Sequence, residues 1–203
     1  MSDQQSKFTE KDLLDELAGK ITYAEVPEKW IDIQGTYKRT KSNPEIDGVS
    51  IIELPDFKTQ TNLFAEMGRL NKGNKLNSSP EIEAAQWSYS TFPPNAPKAW
   101  HLHGLRDGQW DCWAIIPYPG LTMRVGLWDI RKDSPTSNIR VSMDFSNVTR
   151  LVLIPPGVAH GVVSFGMPGI LFYLTSKHFD KNHPDEGRIP WDIQGKEFWE
   201  MKL

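Results

Sequence analysis

Three histidines stand where imidazoles from two strands can meet. His101 and His103 lie one residue apart in Trp100-His101-Leu102-His103-Gly104, and His160 belongs to a second run, Ile154-Pro155-Pro156-Gly157-Val158-Ala159-His160-Gly161. Residues two apart on a strand point to the same face, so His101 and His103 are predicted to project together, in company with Ala99 and Leu105 and opposite Trp100 and Leu102. Imidazole moves protons near neutral pH and is also the commonest metal ligand, and the residue pattern alone leaves both jobs open. Burying two imidazoles on one face is costly unless the rings are hydrogen-bonded or wet, which argues for a site.

Two other side chains bear on the chemistry. Tyr173, in Ile170-Leu171-Phe172-Tyr173-Leu174, shares a face with Leu171 and Thr175, and an inward phenol can donate a proton to an enolate. Cys112, the only cysteine, sits in an apolar stretch and reads as a small buried residue rather than a nucleophile. His178 and His183 lie among Lys177, Asp180, Lys181 and Asp185 and are expected at the surface.

The elements around these residues are short strands. Val49 to Leu54, Glu83 to Thr91, Trp110 to Ile116, Leu121 to Ile130, Arg140 to Phe145, Arg150 to Ile154, Val158 to Phe165 and Gly169 to Ser176 read as strands between Pro- and Gly-rich turns. Asn62 to Leu70 reads as strand or short helix, and Asn71 to Pro80 as a polar loop. Pro155, Pro156 and Gly157 pre-set the turn that delivers His160. Many short strands with close-set turns predict an all-β barrel or sandwich. Residues 1 to 45 read as an N-terminal extension with one short helix, opened by Thr9 and closed by Gly19, and residues 46 to 203 as the barrel.

A length of 203 residues fits one domain plus an appendage, and 38% hydrophobic residues with 8 Trp, 9 Phe and 5 Tyr suffice for a core. The net charge of -3 carries no nucleic-acid footprint. A single cysteine, a polar N-terminus and no long apolar run predict a cytoplasmic protein without membrane or nucleic-acid partners.

Taken in order, these motifs resemble those of the dTDP-4-dehydrorhamnose 3,5-epimerase family, a branch of the cupin-like jelly rolls. The resemblance runs from about Gly48 to Trp191. It includes Asn62-Leu63-Phe64-Ala65-Glu66, similar to the family's Gly-Phe-Phe-x-Glu, and Lys98-Ala99-Trp100-His101, where the family has Arg-Gly-Leu-His. It also includes Trp87-Ser88-Tyr89-Ser90, the stretch Asp129-Ile130-Arg131-Lys132-Asp133-Ser134-Pro135-Thr136, Arg150, the Pro-Pro-Gly run with His160, and the segment around Tyr173. The implied fold is a cupin-like jelly-roll β-barrel with a short helical N-terminal extension. The implied activity is epimerisation of a nucleotide-linked 4-keto-6-deoxy sugar, with no metal or organic cofactor.

By this resemblance His101 is the base and Tyr173 the acid. Lys98 and His160 sit near the diphosphate, Phe179 stacks on the nucleobase, Phe64 and Glu66 belong to the nucleotide-binding strand, and Gln86, His103 and Arg150 complete the substrate contacts. The implied assembly is a homodimer in which an N-terminal strand reaches into the partner's site. The chain departs from the pattern at four positions. Lys98 replaces an arginine and His103 a glutamine, and Ala84 and Gln86 stand where the family has Gln and Asn. The family also orients its base with an aspartate from a C-terminal helical segment that would follow Leu203, so a divergent member is expected in which another carboxylate, such as Asp111, substitutes.

Two other readings stay open. In one, His101, His103 and His160, with Asp107 or Asp111, hold a divalent metal in a metal-dependent cupin enzyme. In the other, the barrel binds a sugar nucleotide without catalysis.

Overall fold

The computed structural model of the protein describes residues 40–58, 63–104 and 108–201, and its regular structure there is almost all strand. In chain order the strands are β1 (Thr40–Ser42), β2 (Ser50–Glu53), β3 (Phe57–Lys58), β4 (Leu63–Phe64), β5 (Lys75–Leu76), β6 (Ser79–Glu83), β7 (Gln86–Phe92), β8 (Lys98–Leu102), β9 (Asp111–Ile115), β10 (Thr122–Asp129), β11 (Arg140–Phe145), β12 (Arg150–Ile154), β13 (Val158–Phe165), β14 (Gly169–Thr175) and β15 (Gly187–Arg188). A short 3-10 helix, Lys196–Trp199, follows. The expected N-terminal helix around Thr9 lies outside the described residues. No helix among the described residues is long and apolar enough to cross a membrane.

Two antiparallel sheets form a cupin-like jelly-roll barrel. One has the order β1-β2-β12-β9-β14-β7, the other β11-β10-β13-β8-β15. Between them lies a core to which Ile51, Trp113, Ile115, Val152 and Leu171 contribute from the first sheet and Met123, Val125, Leu127, Val158 and Val162 from the second.

Each sheet is also covered on its outer face. Leu76 and Ile82 of the β5–β6 hairpin pack with Ile52, Cys112, Ala114, Leu151, Leu153 and Leu174 over the first sheet. Trp199 packs with Trp100, Leu102, Ala159, Val163 and Phe165 over the second. Burying one such aliphatic side chain contributes about 1.5–3 kcal/mol, so even a two-residue strand is worth docking. Double coverage explains why β9 and β13 are buried at every position, whereas exposure alternates residue by residue in the edge strands β7 and β11.

One local expectation is corrected and one open choice is decided. Residues 71–80 do not form a simple polar loop: Lys75–Leu76 pairs with Ser79–Glu83, because Leu76 and Ile82 have an apolar surface to cover. In the described part of the stretch 62–70, the strand alternative is the one found: Leu63–Phe64 pairs with Phe57–Lys58.

The Asp129–Thr136 stretch is a structural clasp. Asp129 is fully buried. Its carboxylate accepts bonds from the Arg131 guanidinium and from the hydroxyls of Ser134 and Thr136, at 2.6–2.8 Å. Arg131 in turn donates to the Asp47 carbonyl, and its side chain lies where a Cβ on Gly157 would be. The clasp therefore holds the Pro-Pro-Gly turn that leads into β13 and His160.

Candidate functional site

The histidines owe their common direction to an irregularity in β8. In the β8–β13 ladder His101 stands opposite His160, but Lys98 rather than Ala99 stands opposite Val162. The extra residue is a bulge, which re-aims side chains by one position. Ala99 and Trp100 both pack into the outer aromatic cluster, while Lys98, His101 and His103 line the interior pocket. The expectation that Ala99 shares the histidine face is thus corrected, and Lys98 takes its place. Leu105 lies outside the described residues.

His103 follows the end of β8, and two glycines let that backbone cross the Pro-Pro-Gly turn. Gly104 (φ 99°) and Gly157 (φ 80°) are left-handed. A Cβ on Gly104 would come within 2.9 Å of the Gly157 nitrogen, which donates to the His103 carbonyl at 2.7 Å. The two histidine motifs are therefore joined by a backbone bond that only close approach allows.

The pocket has a volume of about 240 Å³ and opens between the two sheets. His101 and Lys98 come from β8, His160 from β13 and Arg188 from β15; Asp111 comes from β9, Tyr173 and Thr175 from β14, and Gln86 from β7. Of the residues expected at the site, His101, Tyr173, Gln86, Lys98, His103, His160 and Phe179 line it. Tyr173 faces inward with Leu171 as its alternation predicted.

Three expected residues are not in this pocket. Phe64 is 52% exposed, with its ring 6.0 Å from that of Phe57. Glu66 pairs with Arg69 at 3.1 Å. Arg150, at the start of β12, pairs with Glu53 across the ladder at 3.0 Å, and its guanidinium lies over the Phe145 ring. His178 and His183 are exposed, as their polar setting predicted.

The pocket also contains charged groups the sequence did not single out. Glu186 Oε1 lies 3.2 Å from His101 Nδ1 and 2.7 Å from an Arg188 nitrogen. That places a carboxylate on the base candidate from the segment before β15, 85 positions along the chain. The alternation of a strand cannot reveal such a contact, because residues 176–186 have no periodicity. Asp111, weighed as a carboxylate partner for His101, instead faces the other two imidazoles: its Oδ2 is 3.5 Å from His160 Nε2 and 3.8 Å from His103 Nε2.

The imidazoles are held through their Nδ1 atoms. His160 Nδ1 is 2.9 Å from the Val158 carbonyl and His103 Nδ1 is 2.8 Å from the Asp185 carbonyl. Trp113 meets the His160 ring edge-on at 4.9 Å, and its Nε1 donates to Asp111 Oδ2. Burial, and then the neighbouring charge of Lys98, push the His101 pKa down to about 3, so this imidazole is neutral at physiological pH. Burial also lowers the Lys98 ammonium, opposed by Glu186 and Asp111. Lys98 Nζ lies 5.3 Å from the centre of the Tyr173 ring.

The chain matches no protein-family model. It is 34% identical over 149 residues to the spore coat polysaccharide biosynthesis protein SpsL of Bacillus subtilis, covering 72% of this chain and 91% of that protein. It is 32% identical over 114 residues to the probable low-salt glycan biosynthesis epimerase Agl13 of Haloferax volcanii, covering 55% of this chain and 70% of that one. In fold it is similar to the crystal structure of dTDP-4-dehydrorhamnose 3,5-epimerase from Elizabethkingia anophelis, with a TM-score of 0.63 and 18% identity, over 81% of this chain and 87% of the other.

Proposed function

The chain belongs to the dTDP-4-dehydrorhamnose 3,5-epimerase family, and on that premise we propose that it epimerises a nucleotide-linked 4-keto-6-deoxy sugar. One observation carries the reading. A neutral imidazole, His101, and a phenol, Tyr173, line the same pocket from opposite sheets.

A proton on a carbon beside the ketone is acidic because the carbanion's charge spreads onto the keto oxygen. His101 takes that proton on Nε2, breaking the C–H bond, while Glu186 Oε1 stands 3.2 Å from its Nδ1. The electron pair moves to the keto oxygen, and the Lys98 ammonium supplies positive charge in the same pocket. Tyr173 then returns a proton to the carbon from the opposite wall, which inverts it. The imidazolium and phenolate left behind exchange their protons with solvent.

Glu186 is the carboxylate placed to orient the base: an acceptor beside Nδ1 favours the tautomer that leaves Nε2 bare. The same reading places Phe64 and Glu66, which lie outside their own chain's pocket, at the pocket of a second copy in a homodimer.

The test is deuterium wash-in. A dTDP-linked 4-keto-6-deoxyhexose incubated in heavy water should acquire deuterium beside the ketone. His101→Asn should slow this by about 10²–10⁴-fold with the circular dichroism spectrum unchanged. No wash-in by the native protein, or wash-in untouched by the substitution, would refute the reading.

A further inference from the structure

We propose that His103, Asp111 and His160 form a binding site for one divalent first-row transition-metal ion. The argument rests on which nitrogen of each ring is free. His103 Nδ1 faces the Asp185 carbonyl and His160 Nδ1 the Val158 carbonyl, at 2.8 and 2.9 Å. A carbonyl oxygen can only accept, so each Nδ1 carries a hydrogen and each ring turns its Nε2 toward the pocket as the atom left to coordinate. Both Nε2 atoms converge on one oxygen, Asp111 Oδ2. Three potential ligand atoms thus lie within 4.8 Å of one another. Asp111 is 4% exposed and His160 2% exposed, while His103 is half-buried at the pocket wall. A carboxylate oxygen and two ring nitrogens gathered in this way suit a cation at their centre.

That cation is a proton or a metal ion, and the spacing favours the metal. The separations of 3.5 and 3.8 Å exceed the usual N–H···O distance of about 2.7–3.2 Å. Ligand atoms about 2.0–2.1 Å from a tetrahedral ion stand about 3.3–3.4 Å apart, close to the shorter of the two. The supporting contacts also fit. Gln109 Nε2 donates to Asp111 Oδ1 at 2.8 Å and Trp113 Nε1 to Oδ2 at 3.1 Å, which locks the carboxylate. Asp185 holds the His103 ring by its carbonyl and the Gly104 N–H by its carboxylate, at 3.0 Å. Nδ1–H bonded to a main-chain carbonyl with Nε2 free is the usual state of a metal-ligating histidine. Two imidazoles and one carboxylate select a first-row transition ion over magnesium or calcium, and three protein ligands leave further positions to the pocket.

This set keeps His103, His160 and Asp111 from the one the sequence suggested and omits His101, whose Nδ1 faces Glu186 Oε1 at 3.2 Å. The inference does not rest on the epimerase reading, because its readout is binding.

Protein stripped with chelator and dialysed should bind Co²⁺ at one ion per chain, giving d–d absorption bands of a low-coordinate site, and Zn²⁺ should displace it. His103→Gln, at the least buried of the three ligands, should weaken Co²⁺ binding by at least about 100-fold, while His101→Asn should leave it within about threefold. Calorimetric titration with Zn²⁺ gives the same stoichiometry without a chromophore. No stoichiometric ion at millimolar metal, together with an NMR resonance for a hydrogen on His160 Nε2, would establish a proton-bridged pair and overturn the proposal. Loss of binding in His101→Asn with retention in His103→Gln would overturn the ligand assignment.

Discussion

His101 and His160 are cross-strand partners: they stand opposite one another in the β8–β13 ladder, with their rings 6.4 Å apart and 17° from parallel. Two motifs far apart in the chain thereby form one wall of one pocket. The two rings nevertheless have different environments. His101 is engaged by the Glu186 carboxylate, and His160 by a carbonyl on one side and Asp111 on the other. This divides the pocket into a proton-transfer edge and a lone-pair cluster.

The proton-transfer edge predicts a role for Glu186 that a purely structural residue would not have. Glu186→Gln should lower kcat by about 10²-fold with KM little changed, because the substrate contacts survive while the tautomer of His101 is no longer enforced. Glu186→Asp should recover part of the rate. Steady-state kinetics on the three proteins check this, and an unchanged kcat in Glu186→Gln would remove Glu186 from the mechanism.

The Asp129 clasp predicts a stability loss with a defined pH dependence. Burial would raise this carboxyl, but the bonds from Arg131, Ser134 and Thr136 outweigh that and hold it well below the ordinary carboxylate range. A carboxyl with a depressed folded pKa stabilises the fold above its unfolded value, about 3.9, and this contribution fades as pH falls below that value. Asp129→Asn should destabilise by about 3 kcal/mol at neutral pH by leaving Arg131 without its partner. Its melting temperature should also fall less steeply between pH 5 and pH 2 than that of the native protein. Thermal melts across that range measure both effects.

The aromatic cover on the second sheet rests on a glycine. A Cβ on Gly126 would lie 2.6 Å from Trp199, 2.7 Å from Phe198 and 3.1 Å from Trp100. The segment carrying Phe198 and Trp199 is tied down by Arg124, which donates to the Phe198 and Glu200 carbonyls at 3.0 and 2.7 Å. Gly126→Ala should therefore cost about 1–3 kcal/mol, measured by urea denaturation, through displacement of these rings.

Much of the barrel was legible in the chain, since eight of its strands follow from apolar runs between Pro and Gly punctuation. The turn at Gly157 and the inward direction of Tyr173 were legible for the same reason: local backbone preference and strand alternation act over a few residues. Aiming His101, His103 and His160 from two strands at one site was the furthest the sequence reached. Only the tertiary structure placed Lys98 on the histidine face, because a bulge is set by what packs on the other side of the sheet, here Trp100 against Trp199. The β5–β6 hairpin was missed for a related reason: its polar residues hide the two apolar ones, Leu76 and Ile82, that dock it. The contacts of Glu186 with His101 and of Asp111 with His103 and His160 likewise belong to the tertiary fold. Each joins side chains whose approach depends on the register of two sheets, a global property that no local run of residues encodes.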